Sequence, residues 1–499
     1  MSIEDSPSTS PFLQRLRTWA DAPTPLMQAA AARLDELPLA RLRSGGFFKD
    51  PLSYSYVYQY PPPCILGPVS PEAIWRGRAD SSNVPSARPM GLYVHIPFCT
   101  GTCAYCYFAR YTKRNSPISI NNYLSLLRKE LALITAQPNM ASARITTLAI
   151  GGGTPTCLGR AHLISLFSCL RGHFDLGATV EISVEASPET IAGRNTSILR
   201  VLRNCEVNRL SIGVQSFDDL LLRRLGRRHD SKTAEKAVVA SRAAGFTNIN
   251  LDLIYGLPGQ TIAQWEHTLN NATRLRPQSL SVYRLRVHPG GALAKTATQD
   301  CPAEAATTLM YIMAVESCRR SGYLHTASHN FVLSEQFIQK HVTEKQGINE
   351  HELLGIGVSA YSFVNRYSYW NECSLEGYCE HINSGRLPVW RGERLSVDEE
   401  LRRVMVLGLH EHRGIDISSF EDRFGCSPVQ VFGPSLKPLM KLGLIVVSDG
   451  RIHLTYTGLL FADEVCPHFY SEPVRKRIIA KGMHSHGMGF IGDSTLQLV

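Results

Sequence analysis

LYVHIPFCTGTCAYCYF, residues 92–108, is the stretch on which the fold turns. LYVHI is a short apolar strand, and directly after it Cys99, Cys103 and Cys106 stand in a CxxxCxxC spacing on a loop that contains Gly101. Three thiolates at that spacing can hold three irons of an iron–sulfur cubane and leave the fourth iron open, where S-adenosylmethionine (SAM) can chelate through its amino and carboxylate groups. Two other readings stay open. A structural zinc site needs a fourth ligand, for which His95 or a remote cysteine would have to serve, and three buried thiols could simply pack.

Working outward, five more strands follow at regular intervals: ITTLAI, VEISVE, RLSIGV, INLDLI and LSVYRL, starting near residues 145, 180, 209, 249 and 280. Helical segments separate them, so the pattern is that of parallel βα units. After the first strand Ile120, Tyr123, Leu124, Leu127, Leu131 and Ile134 fall at helical spacing and make one apolar stripe. Alternation sorts the strand residues onto two faces. Val180, Ile182 and Val184 lie opposite Glu181, Ser183 and Glu185; Leu210, Ile212 and Val214 opposite Arg209, Ser211, Gly213 and Gln215; Ile249, Leu251 and Leu253 opposite Asn250 and Asp252. A filled eight-stranded barrel has branched apolar residues inside, so polar faces on successive strands predict an open, partial (β/α)6 barrel lined for a polar ligand. Glu185, Gln215 and Asp252 are expected at the C-terminal strand ends.

The rest of the 499 residues divides by pattern. Residues 1–88 read as an N-terminal arm, with the aromatic and proline stretch from Ser53 to Cys64 extended rather than helical. The barrel is placed at 89–322 and a barrel-closing α/β extension at 323–390. Residues 391–466 read as a winged-helix-like unit: helices at Leu401–His412, Ile417–Phe424 and Ser435–Leu442, then a hairpin turning at Asp449-Gly450. The polar tail from 467 to 499 is expected to be partly disordered, and its His484 and His486 are set aside as solvent-exposed. The fold class is α/β.

A hydrophobic content of 44% suits a large globular core, no segment has the length of a membrane span, and thirteen cysteines without a disulfide-like pattern suit a reducing, cytosolic setting. The net charge of +9 is spread along the chain rather than gathered in one run. The third C-terminal helix offers only two lysines and contains Pro438, so nucleic acid is not an expected partner.

Beyond the cysteines, GGGTPT (151–156), VEISVEASPE (180–189), NRLSIGVQSF (208–217), LGRRHD (225–230), NLDLIYGLPGQT (250–261) and LLGIGVSAYSF (353–363) occur in order. With these the chain resembles the radical SAM enzymes, and within them the coproporphyrinogen III dehydrogenase (HemN)-like branch, over roughly residues 90–465. The resemblance implies a [4Fe-4S] cluster on Cys99, Cys103 and Cys106 and one or two molecules of SAM. It implies that Tyr93 and His95 face the cluster, that Gly152, Gly153 and Thr154 hold the amino group and backbone of SAM, and that Glu185 lies on the SAM side. Gln215, Arg227 and Asp252 match positions around the SAM sites; the structural alternative is an ion pair between Arg227 and Asp252. Tyr283, Arg284 and Arg286 end the sixth strand, where an exposed arginine suits an anionic small-molecule substrate. An electron donor such as a flavodoxin or ferredoxin is a further implied partner.

Two departures bear on the reaction. The dehydrogenase proper carries a fourth cysteine two residues after the third, where this chain has Phe108, and Tyr58-Gln59-Tyr60-Pro61 only partly matches its substrate-contacting YTSYP-like segment. The expectation is therefore a HemN-like methyltransferase or cyclopropanase acting on a biosynthetic intermediate, with coproporphyrinogen oxidative decarboxylation as the alternative and a haem chaperone or haem-degrading relative after that.

Overall fold

Six strands form where the sequence places them in a computed structural model. It describes residues 14–16, 18, 22–47, 59–76, 89–112, 114–137, 140, 143–178, 180–287, 293, 300–342 and 351–481. The strands are β1 (Pro89–Ile96), β2 (Arg144–Gly152), β3 (Glu181–Ala186), β4 (Arg209–Gln215), β5 (Ile249–Tyr255) and β6 (Ser279–Arg284), each parallel to the next. Helices cover their outer faces. The first, Ile120–Thr135, begins at Ser119, whose hydroxyl accepts the Asn122 N–H, and buries Tyr123, Leu124, Leu127, Leu131 and Ile134 as the stripe predicts.

The sheet is larger than the six strands. After β6 the hairpin β7 (Leu324–Ala327) and β8 (Asn330–Val332) adds antiparallel to β6. On the other side of β1 lies β9 (Glu352–Ile356), a seventh parallel strand with Leu92 opposite Leu354. Three antiparallel strands, β10 (Tyr361–Val364), β11 (Tyr367–Asn371) and β12 (Val389–Arg394), complete one twelve-stranded sheet ordered β12-β11-β10-β9-β1-β2-β3-β4-β5-β6-β8-β7. It curves as a partial barrel with two free ends. The sequence hides β9 because the strand is buried along its whole length and carries Gly355, so it shows neither alternation nor strong strand propensity.

In the C-terminal region helices Val397–Gly408, Ile417–Phe424 and Gly433–Lys441 precede a hairpin of Ile445–Ser448 and Arg451–Leu454. Asp449 and Gly450 take φ of 51° and 71°, the left-handed pair a tight hairpin needs, and Ile415–Asp416 adds a third strand. The winged-helix order is present. The described part of the tail, through residue 481, is folded: Glu472–Ala480 is a helix that Ser471 caps, and it buries Val474 and Ile478. One i, i+4 apolar pair in a polar segment is too short a stripe to read from sequence. His484 and His486 lie outside the described residues.

The arm also contains helices, at Pro25–Glu36, Leu39–Ser44 and Pro71–Arg76. The Thr24 hydroxyl donates to Glu266 at 2.7 Å, and Arg477 donates to Ile65 O at 2.6 Å, so the arm touches both the barrel and the C-terminal region. Of the Ser53–Cys64 stretch, residues 53–58 lie outside the described set, and Pro63–Ile65 is a single 3-10 turn. No helix among the described residues is long and apolar enough to cross a membrane.

Candidate active site

The cluster loop leaves β1 at Pro97 and is pinned on both sides. Phe98-Cys99 pairs in parallel with Tyr111-Thr112. Beneath, the glycine strap after β2 binds the strand exit: Gly153 N–H donates to Ile96 O at 2.8 Å and Thr154 N–H to Phe98 O at 2.7 Å. Gly152 has φ of +107°, which a side chain would strain, and a β-carbon on Gly153 would lie 2.6 Å from Phe98 O and 3.0 Å from Cys99 Sγ. The Thr154 hydroxyl faces Cys99 Sγ at 3.7 Å.

A second clasp was not read from the sequence. Thr100 on the loop donates to Glu189 at 2.8 Å, and His229 Nδ1 stands 3.5 Å from the other Glu189 oxygen. Burial pushes Glu189 up, but His229, Arg227 and Thr100 outweigh it and hold its pKa at about 2. The loop, the ASPE segment and the GRRHD segment are thus locked together. Both segments carried the family resemblance, but nothing in their composition told that their acid and histidine meet.

The three loop cysteines, like the ten others, are in no disulfide. Burial raises the Cys99 thiol to about 12 and also raises Cys106, with each neighbouring thiol adding to the effect on Cys99. Positive charge answers them. Arg227 Nη1 lies 3.4 Å from Cys103 Sγ, and Arg110, which donates to Cys103 O at 3.3 Å, acts against the rise at Cys99 and Cys106. The Nε atoms of Arg110 and Arg227 are buried with no acceptor among the described residues. Among those residues no three His, Cys, Asp or Glu side chains close on one point as ligands of a single ion do. A cubane takes each thiolate at a different iron, so its ligands stand further apart than those of one zinc. Three free thiols on one loop, with guanidinium groups facing them, fit an anionic [4Fe-4S] cluster.

Inside the barrel the polar faces meet as a ladder. Asp252 accepts from Ser211 Oγ at 3.0 Å and from Asn250 Nδ2 at 2.8 Å, and Ser281 donates to Asn250 at 3.2 Å. Asp252 lies mid-strand in β5, below the strand end where it was expected. Burial raises its pKa, opposed by these donors. Above it Glu185 opens onto the barrel mouth, enclosed by protein but in contact with the cavity; burial and then Asp252 push it up to about 7, against the Gly152 N–H at 3.2 Å. Tyr93 stands beside it, and its hydroxyl donates to His95 Nδ1 at 3.1 Å.

Four of the positions singled out in the sequence have specific partners. His95 is a brace: Nε2–H donates to Ala109 O at 3.1 Å, which fixes the tautomer, and burial lowers its pKa to about 4, so the ring is neutral. Arg227 does not pair with Asp252. Its Nη2 donates to Gly213 O at 2.6 Å and Ser187 Oγ at 3.2 Å, while Asp252 faces Arg209. The Gly213 carbonyl is turned there by a bulge before Gln215, which sits in the left-handed region at φ 70°. Arg284 is not open to a ligand, since it forms a two-pronged ion pair with Glu304, one contact at 3.0 Å. Arg286 lies near enough to Tyr107 to oppose the rise that burial imposes on that phenol. Nor does Tyr60 face the barrel: it is fully buried, bonded to Glu399 and, from Ser471 N–H, at 3.3 Å. Tyr58 lies outside the described residues.

Comparison with known proteins agrees with this geometry. Fold and thiol loop define the class: residues 93–272 match the radical SAM superfamily, and residues 395–461 match the HemN C-terminal domain. The chain belongs to the radical SAM family that contains the oxygen-independent coproporphyrinogen III oxidases and the heme chaperones HemW. It is 31% identical to heme chaperone HemW of Bacillus subtilis over 387 residues, 76% of this chain and 99% of that protein. It is 30% identical to the oxygen-independent coproporphyrinogen III oxidase of Escherichia coli over 398 residues, 77% of this chain and 85% of that protein. The structure of coproporphyrinogen III oxidase (HemN) from Escherichia coli superposes with a TM-score of 0.75 at 29% identity, over 87% of this chain and 98% of that one. Membership in the superfamily implies a [4Fe-4S] cluster and SAM.

Proposed function

We propose that the chain is a radical SAM oxidoreductase of the coproporphyrinogen III oxidase kind, removing carboxyl groups from an anionic tetrapyrrole by oxidative decarboxylation. What supports this most is the extent of the likeness to the oxidase structure, through barrel and C-terminal region alike over 98% of that chain. The methyltransferase or cyclopropanase expectation gains no support from these relatives, which match over three quarters of this chain and are named coproporphyrinogen III oxidase and heme chaperone.

In this reading Cys99, Cys103 and Cys106 hold the cluster. When bound, the cluster and SAM together supply one-electron cleavage of SAM to a carbon radical that removes hydrogen from an unactivated carbon. The protein's own residues position and enclose. In the strap at Gly152, Gly153 and Thr154 the N–H groups are already bonded within the fold and the Thr154 carbonyl accepts from Cys157 N–H at 2.9 Å, which leaves the glycine carbonyl oxygens for an ammonium and the Thr154 hydroxyl facing the loop. Glu185, Asp252 and Tyr93 give the SAM side acceptors and a hydroxyl, and Gln215 with Arg227 lines the neighbouring strand end, where a second SAM would sit. Arg286, beside Tyr107, is the arginine assigned here to a substrate carboxylate.

A second reading, heme binding and delivery, has two observations in its favour: Phe108 stands where the fourth cysteine of the dehydrogenase would be, and the HemW match spans 99% of that protein. One experiment separates the readings. The protein is reconstituted anaerobically with iron and sulfide, reduced with dithionite, and given SAM with either coproporphyrinogen III or haem. Deoxyadenosine together with a tetrapyrrole lighter by carboxyl groups supports the oxidase. Stoichiometric haem binding in the Soret region without deoxyadenosine supports the chaperone, and S-adenosylhomocysteine with no decarboxylated product overturns both.

A further inference from the structure

The strands on the far side of β1 carry a second cluster of aromatic side chains, separate from the main core. Alternation sorts them: Leu92, Leu354, Val364 and Tyr369 belong to the core beneath the helices, whereas Tyr93, Leu353, Tyr361, Phe363 and Trp370 pack together on the inner face. Strand register builds this wall. Tyr93 lies opposite Gly355, Leu353 opposite Phe363, and Tyr361 opposite Trp370, the rings of the last pair 5.8 Å apart between centroids. A β-carbon on Gly355 would stand 2.3 Å from Tyr361 O, so the close approach of β10 requires glycine and leaves no side chain between Tyr93 and Tyr361.

The middle of the wall is closed. Tyr361 and Phe363 are buried, Ser368 Oγ donates to Tyr361 Oη at 3.4 Å, and Arg403 covers the Phe363 ring at 3.9 Å. Its two ends are half-buried: Tyr93, beside Glu185 at the barrel mouth, and Trp370. Trp370 Nε1 is itself buried and has no acceptor among the described residues. An indole N–H can only donate, so it is expensive to leave unmet. Trp265 shows the ordinary solution, its Nε1 donating to Met310 O at 2.7 Å. Trp75 Nε1 also lacks an acceptor, but that ring belongs to the main core rather than to the inner face.

A lone buried donor is more often met by a water than by a ligand. Here it shares one side-chain cluster with Tyr93, and Arg391 stands opposite Trp370 on β12, so aromatic faces, an N–H donor and a positive charge follow one another along the inner face from the barrel mouth. Three strand spacings, about 14 Å, separate Tyr93 from Trp370, a span that suits a flat macrocycle with carboxylate arms. Such a ligand sets its ring against aromatic faces and a carboxylate on a donor.

We propose that Trp370 is a specificity-determining residue: its indole N–H donates to one carboxylate of an anionic tetrapyrrole whose reacting arm lies at the other end of the wall, beside Tyr93. This rests on the tetrapyrrole reading of the site and adds to it where the far side of the substrate is recognised.

The test uses the full-length protein with reconstituted cluster, without SAM, and coproporphyrin III as the probe, its binding followed by fluorescence anisotropy. Expected are saturable binding to the wild type, a Kd raised about tenfold in Trp370→Phe, which keeps a ring and loses the donor, and a change under about twofold in Trp390→Phe, one residue along β12 from Arg391. A second readout needs no folded variant: in the wild type, isotope-labelled at its five tryptophan indoles, one indole proton should move downfield as coproporphyrin III saturates the protein. Wild-type binding that Trp370→Phe leaves within about twofold overturns the proposal and leaves the tetrapyrrole reading standing. A titration in which no indole proton moves does the same, as does equal weakening in Trp390→Phe. Absence of binding by the wild type overturns the tetrapyrrole reading itself, and the proposal with it.

Discussion

Replacing Glu130 by alanine removes the acceptor at the centre of a buried network that ties the outer strands to β1. Glu130 lies on the helix Ile120–Thr135 and accepts from Gly357 N–H at 2.8 Å, Asn371 Nδ2 at 2.8 Å and Tyr378 Oη at 2.6 Å. Two turns earlier Tyr123 donates to His95 O at 2.8 Å and accepts from Val358 N–H at 3.2 Å, so the network ends on the strand that leads into the cluster loop. Alanine leaves three buried donors without that acceptor, at roughly 1–3 kcal/mol each. Asn371 keeps Gly357 O at 3.0 Å, which trims the total to about 4 kcal/mol. The acid also imposes a pH dependence. Burial raises its pKa from 4.5 to about 7 against the three donors. The folded state therefore holds the proton more tightly than the unfolded chain, and this stability is present below the unfolded value and lost as pH rises through about 7. At ~1.4 kcal/mol per pH unit the full amplitude is about 3 kcal/mol. Urea unfolding of the apo protein, followed by far-UV circular dichroism at pH 5 and pH 8, should show the wild type losing about 2 kcal/mol more than Glu130→Gln over that interval. Equal slopes for the two proteins, or a loss under about 1 kcal/mol for Glu130→Ala, would refute the reasoning.

Three further outcomes are expected. Cys103→Ala should abolish the visible absorbance of the reconstituted protein and SAM cleavage together; full cleavage in the variant would remove the cluster assignment. Glu189→Gln should cost about 3 kcal/mol at pH 7, from a pKa held near 2 in the fold, and the contribution of this group should be present above the unfolded value of 4.5 and lost as pH falls through about 2. Acid unfolding curves that coincide for wild type and variant would contradict this. Gly152→Ala should lower the iron content after reconstitution, because the new β-carbon would lie 2.6 Å from the His95 ring in a residue already at φ +107°, and an iron content equal to wild type would tell against the strap's role.

The six barrel strands and the thiol loop were legible because each strand shows alternation or an apolar run bounded by turn residues, and because three cysteines at close spacing leave few chemical readings. β9 was not legible, being buried on both faces and broken by glycine, although its sequence was part of the resemblance. Within the site, alternation placed Glu185, Ser211, Asn250 and Asp252 on the inner face, where they meet. It gave no account of long-range pairing: that Arg227 reaches Cys103 and Gly213 rather than Asp252, that His95 is tied to Ala109, or that Glu304 neutralises Arg284, from 20 residues away. Such contacts depend on where loops return, and side-chain period carries no information about that.

The seventh parallel strand has a consequence for how the protein is made. β1, which ends at Ile96 and feeds the cluster loop, has one neighbour in β2, but the other, β9, begins only at Glu352. A ribosome working at roughly 5–20 residues per second needs on the order of 10–50 s to cover that interval. Throughout it the thiol-bearing strand has one row of N–H and C=O groups unpaired, a template for other chains. The three cysteines, the glycine strap, Glu189, Arg227 and His229 all emerge within that interval. Nascent chains stalled within that interval, once His229 has cleared the ribosome, should therefore bind iron and sulfide, yet need a holding chaperone to stay soluble.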